Sequence, residues 1–390
     1  MKILWLADPH VGIKRYGHID SSGIHTRVLD TIKAIETVVT SAIVWGDIDT
    51  VVILGDVFTY RNPTNIERKL VAEQIQRLIS AGIQVLIIVG NHDVGGLSNN
   101  FSQYEHLKVE NLQIVVKPEI VEVNGVGFAC LPWLNKQDWG CNSNAEVEQL
   151  LAQKAMDFRK EKEGKYVPFL IGHFSILGAV IGSEKQFCMG GEELVPLSVV
   201  GGGDFEACFL GHIHKKQSFK GGNTPVMYVG SLVKCDFNER TDVKGVVVSE
   251  GEIGGKWKHK FLEIPDRDFV LVKMDAQRLW SLPSEDKPKV MFDLKPGSVV
   301  KVEVTVKKED KALVDVKAIR QALIDCQAHW SEITVNVVGE IDRTQEFSSS
   351  LSDLDMLKKF EVDVRKCSPQ VVDKVLQEGK KILEECNVGV

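Results

Sequence analysis

Cys208-Phe209-Leu210-Gly211-His212-Ile213-His214 is the stretch on which the fold turns. A short apolar run that halts on glycine and then delivers two imidazoles reads as a buried strand with ligand chemistry at its carboxyl end. On an extended segment, rings two residues apart would share one face. The same arrangement recurs outward along the chain. Residues 2–7 lead into Asp8-Pro9-His10, residues 50–54 into Gly55-Asp56, residues 84–89 into Gly90-Asn91-His92-Asp93, and residues 169–171 into Gly172-His173. Each match taken singly is weak, because a turn or a helix cap uses the same residues. Together, five strand ends supply ligand types and engage five of the ten histidines, which coincidence explains poorly.

The segments between these ends follow helical spacing. Leu29, Ile32, Ile35, Val39 and Ile43 recur at the interval of one buried helix face, and Thr64 with Glu67 forms a capping-box pattern opening a helix that runs to Gly82. Alternation of short apolar runs with such helices predicts an α/β sheet. From about residue 114 the texture is richer in strands: 119–123 and 126–131 flank Asn124-Gly125, a hairpin signal, and further strands are expected near 226–229 and 243–248. A polar helix is expected over 145–163. The pattern breaks near Ile264-Pro265-Asp266; a β-α-β unit over about 300–338 and a terminal helix over 369–385 follow a different texture, separated by the Ser- and Asp-rich residues 346–355. The predicted domains are therefore 1–265, 266–345 and a linker with a helical segment over 346–390.

Composition narrows the partners. The 390 residues are 44% hydrophobic and 26% charged, an ordinary globular balance that excludes disordered, collagen-like and coiled-coil chains. With 47 Lys and Arg against 54 Asp and Glu, the net charge of −7 requires any nucleic acid to be met by a local basic patch, a partner or bound cations. One candidate patch is Lys256, Lys258 and Lys260 alternating with Trp257, His259 and Phe261, which on a strand gives a basic and an aromatic face. The amino terminus turns polar too early for a secretory segment and no run is long enough to span a membrane, so a cytoplasmic protein without membrane contact is expected. Eight cysteines without a Cys-x-x-Cys pair argue against a disulfide framework or zinc knot.

Asp8, Asp56, the Asn91 amide and the imidazoles of His10, His173, His212 and His214 suit two divalent ions of intermediate hardness, manganese or iron, better than calcium or thiolate-bound zinc. Two such ions about 3.5–4 Å apart clamp a phosphoryl oxygen and acidify a water for in-line attack. The five blocks resemble, in order and complete, those of the calcineurin-like metallophosphoesterases. The resemblance implies a four-layer α/β/β/α phosphoesterase domain followed by a small α+β capping domain and a C-terminal helix. It implies one metal on Asp8, His10, Asp56 and His214, and the other on Asp56, Asn91, His173 and His212, with Asp56 bridging. His92 would act catalytically at the scissile phosphate and leaving oxygen, oriented by Asp93.

Within that family, Gly172-His173-Phe174-Ser175, Gly190-Gly191, Tyr228-Val229-Gly230-Ser231 and Asp236-Phe237-Asn238-Glu239 resemble the SbcD-type nuclease subunits. That likeness implies two Mn2+ ions, a DNA substrate, an SbcC-like ABC-type ATPase partner and a homodimer, with helix 64–80 as the candidate dimer surface. Relatives often carry His or Asp where this chain has Thr59, three residues after the bridging carboxylate. A small-molecule phosphatase or phosphodiesterase needs the same metals but no appendage of such length, and a non-catalytic scaffold of this fold would have eroded ligands, whereas here all are present. No Gly-x-x-x-x-Gly-Lys-Ser/Thr loop occurs, so ATP would have to act through another subunit.

Overall fold

The computed structural model describes residues 1–95, 98–101, 109–133, 140–161, 164–181, 194–203, 205–220, 222–275, 294–338, 357–358, 362 and 368–387. The chain divides into two units, one of Met1–Lys273 with Leu282–Glu303 and Val316–Thr334, the other of Met274–Ser281 with Val304–Asp315 and Val335–Val390. Gly190-Gly191 and the Ser- and Asp-rich stretch 346–355 lie outside the described residues.

In the first unit, strand β1 (Lys2–Leu6), helix α1 (Thr26–Trp45), β2 (Thr50–Leu54), α2 (Asn65–Ser80), β3 (Gln84–Ile88) and β4 (Leu112–Val115) build half of a sheet by successive crossovers. The hairpin β5 (Glu119–Val123) and β6 (Val126–Leu131), then α3 (Asn144–Glu161), β7 (Phe169–His173), β8 (Ala207–Gly211), β9 (Gln217–Phe219) and β10 (Val226–Tyr228) build a second sheet. Two returning strands, β11 (Gly245–Glu250) and β12 (Lys258–Glu263), close the first. The orders are β12-β11-β1-β2-β3-β4 and β9-β10-β8-β7-β6-β5, with β1, β2, β3 and β4 mutually parallel and β8 parallel to both β7 and β10.

Strand parity assigns the layers. On β1, Ile3 and Trp5 pack with Phe128, Phe169 and Phe209 between the sheets, whereas Leu4 and Leu6 pack with Val28, Ile35 and Val39 of α1. Strands buried on both faces explain why their sequences are continuously apolar. The outer face of the second sheet carries Leu170, Cys208 and Leu210 against Val147, Leu151 and Phe158 of α3. The expected α/β/β/α sandwich is thus the observed one. Trp5 stacks on Phe209 of the second sheet at 4.2 Å between centroids and donates its indole N–H to Ser249 Oγ of β11, the strand beside it in the first sheet, at 2.7 Å.

Local signals read from the sequence reappear as geometry. Thr64 accepts from the Glu67 amide while the Glu67 carboxylate accepts from the Thr64 amide, and Asn124 and Gly125 hold positive φ values of 52° and 78° in the tight hairpin. Val71, Ile75 and Leu78 of α2, the helix expected as a dimer surface, are buried in the core, and Leu70 and Ile79 are partly buried against it. The lysine alternation persists: Lys258 and Lys260 are exposed while Trp257 and Phe261 pack towards the inter-sheet core.

The chain continues through β13 (Phe269–Asp275), β14 (Val299–Lys307), α4 (Val316–Asp325) and β15 (Trp330–Val338), and in the second unit α5 (Pro369–Asn387). The sequence missed β13, whose residues follow the proline-marked break directly. Among the described residues, five cysteines are free thiols and no helix is long and apolar enough to cross a membrane.

Candidate metal centre

The five strand ends converge because β1, β2, β3, β7 and β8 all run their carboxyl termini to one edge of the sandwich. Turning the chain sharply at that edge demands unusual backbone. Asp8, His10, Asp56 and His212 hold φ at 46°, 49°, 51° and 88°, left-handed conformations that cost on the order of 1 kcal/mol or more each and concentrate at functional sites. Glycines at two strand ends are steric necessities. A Cβ on Gly90 would collide with the Asp56 carboxylate, and one on Gly211 with the Leu54 carbonyl oxygen. The left-handed φ of His212 also breaks the extended-strand argument, so His212 and His214 do not act side by side. His212 Nδ1 lies 3.1 Å from Asn91 Oδ1, whereas His214 Nε2 lies 2.9 Å from His10 Nε2.

Two groups of potential ligand atoms result, Asp8 with His10 and Asp56, and Asp56 with His173 and His212. Asp56 belongs to both. Its Oδ2 stands 3.6 Å from His10 Nε2 on one side and 3.4 Å from His173 Nε2 on the other. Asn91 Oδ1 joins the second group at 3.1 Å from His173 Nε2, and His214 joins the first through its contact with His10. Every sequence-predicted ligand is therefore brought together.

The surroundings fix which ring nitrogen faces inward. His173 Nδ1 donates to the Leu54 carbonyl at 2.7 Å, leaving Nε2 toward Asp56. The His212 backbone N–H donates to both Asp8 carboxylate oxygens, at 2.9 and 3.0 Å. Buried charges shift one another. Burial pushes the Asp8 carboxyl up to about 6. Burial opposes ionisation of Asp56 too, but His173, His92 and His10 outweigh it and hold that carboxyl well below its usual range. Burial likewise opposes charge on His173, yet Asp56 and Asp8 carry its pKa up to about 9, while burial beside His214 drives His10 well below the usual histidine value. Buried carboxylates and facing imidazole nitrogens sealed from water form a donor set that fits divalent cations.

Asp93 and His92 differ from expectation. The Asp93 carboxylate accepts the backbone N–H groups of Gly90, Val57 and Phe58 at 3.0, 3.3 and 3.3 Å, tying the loop after β3 to the loop after β2. Burial, with Asp56 nearby, pushes it up to about 7. His92 is oriented by a backbone group: its Nδ1 donates to the Thr59 carbonyl at 2.6 Å, and its backbone N–H donates to Asp56 Oδ1 at 2.8 Å. The ring lies edge-on to His10 with centroids 5.1 Å apart. His92, His10 and His214 share a cavity of about 120 Å3 with Lys14, Arg15 and Tyr60. Trp133 stacks on the His212 ring, 5.6 Å between centroids, at the opposite side of the ligand cluster.

Two residues that the sequence reading left without a role also belong to the site. Glu239 Oε1 is 2.9 Å from His214 Nδ1, and Lys244 Nζ is 2.7 Å from Glu239 Oε2, both residues being buried. Burial pushes the Glu239 carboxyl up, but His214 and Lys244 outweigh it and hold it well below the usual range. His214, Cys235 and Glu239 also cluster closely enough to suggest a ligand group, but the Lys244 ammonium already neutralises its carboxylate.

The family profile of the calcineurin-like phosphoesterases matches residues 1–216. The SbcD subunit of the nuclease SbcCD of Escherichia coli K12 is 26% identical over 261 residues, 61% of this chain and 62% of that protein. Exonuclease subunit 1 of phage T4 is 32% identical over 145 residues, 36% of this chain and 40% of that protein. The chain thus matches about three fifths of the length of the first of these relatives, and less of the second. A dimetal phosphatase from Danio rerio aligns with a TM-score of 0.39 and 10% identity, covering 68% of this chain and 98% of that one.

Proposed function

The chain belongs to the calcineurin-like phosphoesterase family, and from that premise we propose that it is a DNA nuclease in which two ligand groups sharing Asp56 would hold two manganese ions. The observation that carries the reading is the sharing of this one carboxylate between two ligand groups. Asp8, His10 and His214 complete one set, and Asn91, His173 and His212 the other. When bound, the ions supply positive charge to the phosphoryl oxygens and acidify a water near neutral pH. The chain's own residues do the rest. His92, outside the ligand sets but in the same cavity, gives the Nε2 proton of its imidazolium form to the leaving oxygen and becomes neutral, while its Nδ1–H stays on the Thr59 carbonyl and fixes the ring. Lys14 and Arg15, lining that cavity, meet flanking phosphates and fix the register of the strand without reading its sequence.

Likeness to proteins named as nuclease and exonuclease subunits supports DNA as the substrate and an SbcC-like ATPase as partner. Residues 266–345 are assigned to a DNA-capping domain and α5 to contact with that ATPase; pairing of two chains rests on the same likeness alone. A labelled DNA hairpin and bis(p-nitrophenyl) phosphate, each incubated with Mn2+, test the reading. Cleavage of the DNA, abolished by chelation, is the expected result. Turnover of the small diester with intact DNA would assign the site to small molecules, and turnover of neither would mark a scaffold.

A further inference from the structure

Lys244 lies near the start of β11, next to the active edge, buried to 2% exposure and using all three ammonium donors. They reach Glu239 Oε2 at 2.7 Å, Ser231 Oγ at 2.8 Å and the backbone carbonyl of His214 at 3.1 Å. Glu239 in turn spends its second oxygen on His214 Nδ1 at 2.9 Å and accepts the Cys235 backbone N–H at 3.1 Å. One buried ion pair therefore grips His214 twice, at its ring through the carboxylate and at its backbone through the ammonium. A carboxylate only accepts, so the hydrogen of this bond sits on Nδ1, and Nε2, the atom that faces His10, is the nitrogen that would bind a metal in the neutral ring.

The same geometry explains an otherwise costly feature. Desolvating a lysine and a glutamate together costs as much as their attraction returns, and apolar residues of equal volume would hold the fold as well. His173 needs no such device, because a strand carbonyl, Leu54, orients it. His214 lies three residues past the end of β8, beyond the reach of a regular ladder, and the turn Phe237–Glu239 brings a carboxylate back to it.

We propose that Glu239 and Lys244 are positioning residues that set the His214 tautomer and thereby the affinity of only one of the two metal positions, the one built on Asp8, His10 and Asp56. The inference rests on the two-metal reading, and the test separates them. Manganese is titrated calorimetrically into the wild-type chain, Glu239→Met, and the double variant Glu239→Met/Lys244→Met, which removes the acceptor for the His214 Nδ1–H together with both charges at similar volume and guards against a misfolded single variant. Wild type should take up two equivalents. In both variants one binding event should weaken by about 10- to 100-fold, the usual consequence of losing a ligand's orienting partner, while the other stays unchanged. Equal weakening of both events, or of neither, in variants that melt like the wild type would overturn the positioning role. Fewer than two equivalents in the wild type would overturn the two-metal reading, and the inference with it.

Discussion

Asp56→Asn should yield a folded protein whose manganese-dependent DNA cleavage is slower by roughly 10^3-fold or more, the several kcal/mol that a correctly held metal pair contributes to the transition state. The substitution is close to isosteric, and asparagine is among the few residues that accept the left-handed backbone, φ 51°, that Asp56 adopts. Its amide oxygen can still receive the His92 backbone N–H that now reaches Oδ1 at 2.8 Å. What disappears is the negative charge shared between His10 at 3.6 Å and His173 at 3.4 Å. A neutral amide bridges two cations poorly and cannot balance their charge. Gel assays of a labelled hairpin, beside a thermal melt of the metal-free protein, check both halves of the expectation. Near-wild-type cleavage by this variant would remove Asp56 from the bridge.

The second large effect is expected at His92. His92→Ala should keep both manganese equivalents and lose about 10^2- to 10^4-fold in DNA turnover, the range spanned by a positioned general acid. The reasoning is geometric. His92 is held by the Thr59 carbonyl, half-buried on the cavity that also receives His10 and His214, and stands beside the ligand groups without joining them. A discriminating control is the chromogenic diester, whose nitrophenolate leaves readily without a proton. For that substrate the loss should shrink to a small factor. An equal loss on both substrates, or a missing metal equivalent by elemental analysis, would place His92 in metal binding or structure instead of proton transfer.

The metal centre was legible because its ligands are side chains at strand ends, where an apolar run stopping on glycine announces the position and the residue type announces the chemistry. Asp8, His10, Asp56, Asn91, His173, His212 and His214 meet at one edge of the two sheets for that reason. Their orienting partners were much less legible. The Thr59 carbonyl that holds His92 carries no side-chain identity, so the position was visible only as a departure from the family pattern. Asp93, adjacent in sequence to His92, looked like its partner, but a tight turn directs its carboxylate to three backbone amides. Lys244 reads as an ordinary surface lysine until the return of β11 buries it. Glu239 stood in a recognisable stretch, yet only the turn at Phe237–Glu239 brings it back to His214.

Helix α2 teaches the same lesson about packing. Its apolar count was read correctly, but counting gives no depth: Val71, Ile75 and Leu78 lie in the core between α2, α1 and the first sheet, while Leu70 and Ile79 are only partly buried against it. The left-handed φ of His212 was equally hidden, since alternation assumes a strand that has already ended there.

The most direct test is anomalous scattering at the manganese edge from crystals of the full chain grown with Mn2+. Two peaks are expected, one enclosed by Asp8, His10, Asp56 and His214 and one by Asp56, Asn91, His173 and His212, with the Asp56 carboxylate touching both. A single peak, or a peak seated among His214, Cys235 and Glu239, would contradict a bridged two-metal centre.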